Sequence, residues 1–114
     1  MSVDGLTAGY FGAILDLMKD KYLDQIKEIV LTQLKDEPVQ VLLFGSRARG
    51  THHPGSDVDI ALIPAQGTNF TRVVFLKETM EDSCVPYKVD IVNLSESSRE
   101  FREHALKDAV VWKN

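Results

Sequence analysis

Cysteine is almost absent from this sequence: Cys84 stands alone among 114 residues. One thiol cannot build an internal disulfide framework or a cysteine-clustered zinc site, and it suits a reducing compartment. Long apolar runs are lacking too, because Asp16, Lys19 and Lys21 interrupt the first apolar region well short of the roughly 20 residues that a membrane span needs. Met1–Gly9 carries Asp4 and no basic cluster ahead of an apolar stretch, so the expectation is a cytoplasmic protein with no secretory signal and no membrane contact. Basic excess is missing as well. Thirteen Lys and Arg against seventeen Asp and Glu leave a net charge of −4, the wrong sign for bulk binding of nucleic acid. A polyanionic ligand would have to be met locally.

What is present is an ordinary globular composition, 44% apolar and 26% charged, which predicts one domain over residues 1–114. From Ile14 apolar residues recur at Met18, Tyr22, Ile26, Val30 and Leu34, with charged residues between them; this spacing predicts an amphipathic helix that ends before Pro38. Val39 to Phe44 reads as a buried strand. Asp57 to Ile63 alternates and is closed by Pro64, which predicts a second strand. Phe70, Val73, Val74 and Met80 opposite Lys77 and Glu78 predict a helix. Tyr87 to Val92 follows Pro86 as a third strand, and Ser97 with Glu100 matches a capping box for a last helix through about Lys107. Val110–Trp112 is a candidate docking strand. The fold class is therefore α/β (α+β), a small mixed sheet of three to four strands with flanking helices. The short connection from residue 45 to 56 favours an antiparallel first pair, and the helix after the second strand permits a parallel one.

Two features carry chemistry. Asp57 and Asp59 are two residues apart on one strand, so both side chains leave the same face with Cα atoms roughly 6.5 Å apart. Two bare carboxylates repel unless a cation sits between them, and oxygen ligands of this kind favour Mg²⁺ or Mn²⁺. Asp90 on a later strand can join them, and three carboxylates on one edge can hold two ions about 3.5–4 Å apart. The second feature is Gly45-Ser46-Arg47-Ala48-Arg49-Gly50, directly after the first strand. Glycine permits close approach of the backbone to a ligand, the Ser46 hydroxyl can contact a phosphate oxygen, and Arg47 and Arg49 offer forked donors in an otherwise acidic chain. It is neither a Walker A loop nor a dinucleotide fingerprint.

Gly45-Ser46, ten intervening residues, Asp57-Val58-Asp59 and the later Val89-Asp90-Ile91-Val92 together resemble the nucleotidyltransferase superfamily related to DNA polymerase β. The chain is more closely similar to the minimal nucleotidyltransferases, or MNT proteins, encoded beside HEPN-domain toxins. The resemblance covers roughly Ile26 to Trp112. It implies that Gly45 and Ser46 hold a nucleoside triphosphate, for which the forked donors of Arg47 and Arg49 are further candidates by their own chemistry, that Asp57 and Asp59 bind two Mg²⁺ ions, and that Asp90 completes the metal site and assists the acceptor hydroxyl. It also implies ATP as substrate, a HEPN toxin as partner, and transfer of AMP to a tyrosine of that toxin; homo- and hetero-oligomers both stay open.

Competing readings remain open for several residues. Arg47 and Arg49 also read as solvated arginines, His52 and His53 as surface loop histidines, and Cys84 as a loop or core residue. Tyr10, Phe11, Phe101 and Trp112 fit either a core or a contact patch. Two other functions fit the same motifs: an antitoxin acting by occlusion without catalysis, and an adenylyltransferase acting on a small molecule or an RNA end.

Overall fold

The structure is a computed structural model that describes residues 21–51 and 56–114. The expected first turns of the N-terminal helix, Tyr10, Phe11, His52 and His53 lie outside the described residues. Helix α1 runs over 21–33, and the strands are β1 (Val39–Phe44), β2 (Val58–Pro64), β3 (Val89–Asn93) and β4 (Val110–Lys113). A short helix α2 (Ser46–Arg49), then α3 (Phe70–Glu81) and α4 (Arg99–Lys107), complete the order, with a 3₁₀ turn at Leu94–Glu96. Among the described residues no helix is long and apolar enough to cross a membrane.

The four strands form one mixed sheet in the order β3-β2-β1-β4. β1 pairs antiparallel with β2 and with β4, and β2 pairs parallel with β3. Alternation of side chains divides this sheet between two cores. On one face Val41, Leu43, Ile60 and Leu62 pack against Ile26, Val30 and Leu34 of the first helical segment and Leu76 and Met80 of α3. On the other, Leu42, Phe44 and Ala61 meet Leu94 and Ala105 of α4. The result is a three-layer arrangement whose sheet is covered on both sides. A hydrogen bond of 2.8 Å from Gln33 Nε2 to Thr79 Oγ1 joins α1 to α3.

Three expectations are corrected. The last helix is capped one residue later than the Ser97–Glu100 spacing implies: Ser98 Oγ accepts from the Phe101 amide at 3.1 Å. The Ser97 hydroxyl instead donates to the Asn93 carbonyl. Loop 45–56 is not irregular throughout, since Ser46–Arg49 turns into α2 and is closed by Gly50 in the left-handed region. In α3 the nearly unbroken apolar stretch Val73–Leu76 obscures the period. Leu76 and Met80, four residues apart, form the buried stripe, while Phe70, Val74 and Phe75 stay exposed, Phe75 at 61%. Trp112 is half-buried against the first core, and Phe101 is partly exposed with its ring edge-on to Phe44. Cys84 is exposed.

Leu76→Ala empties a fully buried site and is expected to cost about 3 kcal/mol of unfolding free energy. Ser98→Ala is expected to cost about 1 kcal/mol through the lost cap. Chemical denaturation of both variants checks the two values.

Candidate functional site

β1 runs out of the core at Phe44, which pairs with Asp59 across the antiparallel ladder. Gly45 follows with φ +79°, a conformation that residues with a Cβ rarely adopt. A Cβ at this position would collide with the Asp59 carboxylate. The main chain can therefore pass beside that carboxylate only because position 45 has no side chain. Ser46 starts α2 immediately afterwards, so its hydroxyl is fixed one residue from this approach.

The parallel register of β2 and β3 places Asp59 directly opposite Asp90, at the roughly 4.8 Å spacing of neighbouring strands. Both side chains lie on the α4 side of the sheet, the face of Phe44 and Ala61. Asp57 sits two residues before Asp59, exposed, just ahead of the first residue of β2. Partial burial raises the Asp59 pKa above its ordinary 3.8, and the negative charges of Asp90 and Asp57 raise it further. Arg49 and Lys88 oppose these effects without cancelling them. Lys88 Nζ stands 3.9 Å from Asp90 Oδ1, but both side chains are well exposed and such a pair contributes little.

Among the described residues no three His, Cys, Asp or Glu side chains are gathered closely enough to hold a metal ion as they stand. Asp57 is exposed, just ahead of the paired residues of β2. The donor chemistry fits a hard divalent cation, because Asp59 and Asp90 are paired across adjacent strands and their mutual repulsion, which disfavours the charged form of Asp59, is what such a cation would relieve. A recess of about 260 Å³ opens at the β3 edge beside Asp90, lined also by Met80, Glu81, Tyr87 and Lys88. Gly45, Ser46, Asp57 and Asp59 do not line it.

The two arginines of the loop part company. Arg49 is exposed and close enough to Asp59 to act on its charge. Arg47 is buried, with its guanidinium donating to the Ser56 carbonyl and lying over the Tyr87 ring. Tyr87 and Lys88 were not singled out as site residues by the sequence pattern. Their place three and two residues before Asp90 is the only signal that could have pointed to them.

Residues 24–114 match the family described as Polymerase beta, Nucleotidyltransferase. The chain belongs to this family. It is 34% identical over 99 residues to the "Probable protein adenylyltransferase MntA" of Haemophilus influenzae, covering 87% of this chain and 84% of that relative. A solved minimal nucleotidyltransferase superposes with a TM-score of 0.63 at 28% identity, covering 79% of this chain and 92% of the other. A toxin–antitoxin crystal structure with AMP-PNP gives a TM-score of 0.59 at 25% identity, covering 75% and 71%. The likeness to polymerase-β-type and minimal nucleotidyltransferases read from Gly45-Ser46 and Asp57-Val58-Asp59 thus holds for family, fold and enzyme class.

Electrostatics of the carboxylates make a pH prediction for this nucleotidyltransferase. The native pKa of Asp59 lies above the unfolded one, so stability is lost as pH rises from about 3.8 through the raised native value, and the penalty is complete above it. In metal-free buffer Asp59→Asn is expected to raise Tm at pH 7, with the gain vanishing toward pH 3.5, as thermal unfolding across pH will show. Gly45→Ala is expected to cost at least about 1–2 kcal/mol from its left-handed φ alone, and more from the contact with Asp59. Denaturant titration checks this.

Proposed function

We propose that this nucleotidyltransferase transfers the AMP group of ATP to a hydroxyl, a tyrosine's, on a HEPN-domain toxin, and so acts as the antitoxin. The observation that carries the reading is the apposition of Asp59 with Asp90 across a parallel strand pair, with Asp57 two residues away and the Gly45-Ser46 turn against the same carboxylate. The relative named as a protein adenylyltransferase and the toxin–antitoxin structure holding AMP-PNP support AMP as the group moved and a toxin as the partner.

In this reading Asp57 and Asp59 would hold two Mg²⁺ ions, or Mn²⁺, and Asp90 would complete the catalytic metal site. When bound, the ions neutralise the triphosphate and polarise its α-phosphorus. The Ser46 hydroxyl and the exposed Arg49 guanidinium hold the phosphate tail. Asp90 takes the proton of the acceptor hydroxyl. The acceptor oxygen bonds to the α-phosphorus as the bond to the β-phosphate bridging oxygen breaks, and pyrophosphate leaves on the opposite side. The acidic surface leaves a long RNA as an unfavourable substrate, which favours a protein acceptor.

Incubation with α-labelled ATP, Mg²⁺ and the product of the adjacent gene, the expected HEPN toxin, is expected to label that protein and to stop when EDTA is added. No label on the toxin would contradict the acceptor assignment. Asp57→Asn with Asp59→Asn is expected to lower transfer at least about a thousandfold, on the scale of losing the main electrostatic contribution to catalysis. Toxin neutralisation that survives in the double variant would instead mean occlusion.

A further inference from the structure

We infer that Arg47 is a positioning residue whose guanidinium ties the Ser46 segment to the segments bearing Asp57 and Asp90, and does not itself grip the nucleotide. The inference rests on the reading of those aspartates as the reacting carboxylates.

Arg47 is only 8% exposed and is the buried charged side chain of the described residues, an unusual place for a guanidinium without strong partners. Its partners are not carboxylates. Nε and Nη2 both donate to the Ser56 main-chain oxygen, at 3.3 and 2.9 Å. The guanidinium carbon lies 4.2 Å from the centre of the Tyr87 ring, and that ring meets Tyr22 of α1 edge-on at 5.9 Å.

The chain positions give these contacts their meaning. Arg47 follows Ser46, Ser56 precedes Asp57, and Tyr87 stands three residues before Asp90. One side chain thus joins all three segments where they enter the site. Beside it the Val58 amide donates to the Lys88 carbonyl at 2.8 Å, starting the β2–β3 ladder that puts Asp59 opposite Asp90. A fork stacked and bonded in this way has one face against Tyr87 and its Nε and Nη2 turned to the Ser56 carbonyl, whereas Arg49 remains at the surface. Lysine cannot replace it, since an ammonium has neither the planar face nor the fork.

The test compares Arg47→Lys and Tyr87→Leu with the natural chain, first without any ligand. Backbone amide exchange is expected to become about tenfold faster at Val58 and Asp90 in both variants while Val41 keeps its protection. With ATP, Mg²⁺ and the toxin, kcat is expected to fall about a hundredfold through misplaced carboxylates, with ATP affinity nearly unchanged. Unaltered exchange in both free variants, with a loss in Arg47→Lys confined to ATP affinity, would overturn the proposal and make Arg47 a phosphate ligand. A uniform rise in exchange that includes Val41 would overturn it too, leaving a purely structural arginine. Should the natural chain transfer nothing, the reaction assignment fails, and the ligand-free exchange still decides the role of Arg47.

Discussion

Parallel pairing of β2 with β3 forces two carboxylates, Asp59 and Asp90, to face each other across one strand spacing, while Asp57 adds a third charge two residues away. Partial burial of Asp59 makes the arrangement worse for the free protein and, with Asp90 and Asp57, pushes its pKa up. A sheet that holds like charges side by side gives up stability, and the loss is reversed only by positive charge arriving in the gap. The proposed function follows from that tension: paired carboxylates that repel one another would favour a cation and, with it, a polyphosphate. The same logic explains why an acidic chain can serve an anionic substrate. In the proposed function the attraction would come from Arg49, the Ser46 turn and a cation held by the carboxylates, with no need of a basic surface.

The rest of the molecule maintains the apposition. Val58, Ile60 and Leu62 point away from the carboxylates into the core shared with Ile26, Val30, Leu34 and Leu76, so the buried face of β2 fixes the register of the acidic face. A slip of one residue would turn Asp59 into that core and expose Ile60, which makes the alternative registers prohibitively costly. On the other side, Phe44 pairs with Asp59 and packs with Leu94 and Ala105. Gly45 then lets the main chain pass the carboxylate at a distance no other residue permits.

Much of this was legible because it is local. The alternation around Asp57 and Asp59 revealed a shared face, Gly45-Ser46 after an apolar strand revealed a turn, and the helix after β2 allowed a parallel partner. What the sequence could not reveal depends on contacts far apart in the chain. Asp90 could be placed on a candidate neighbouring strand, but its register directly opposite Asp59 is set by packing between strands some thirty residues apart. Arg47 reads like its neighbour Arg49, and only the Ser56 carbonyl and the Tyr87 ring distinguish the buried one from the exposed one. In α3 the continuous run of apolar residues hid which stripe would be buried, and adjacent serines at 97 and 98 left the helix cap ambiguous by one position.

The claim that most depends on geometry is that Asp59 and Asp90 share a divalent cation in the presence of nucleotide. Anomalous diffraction from crystals grown with Mn²⁺ and a non-hydrolysable ATP analogue tests it directly. The account predicts a manganese peak about 2.0–2.3 Å from an oxygen of each of these two carboxylates, with the analogue's phosphates beside Ser46. Manganese bound elsewhere, with the two carboxylates turned apart around ordered nucleotide, would contradict it.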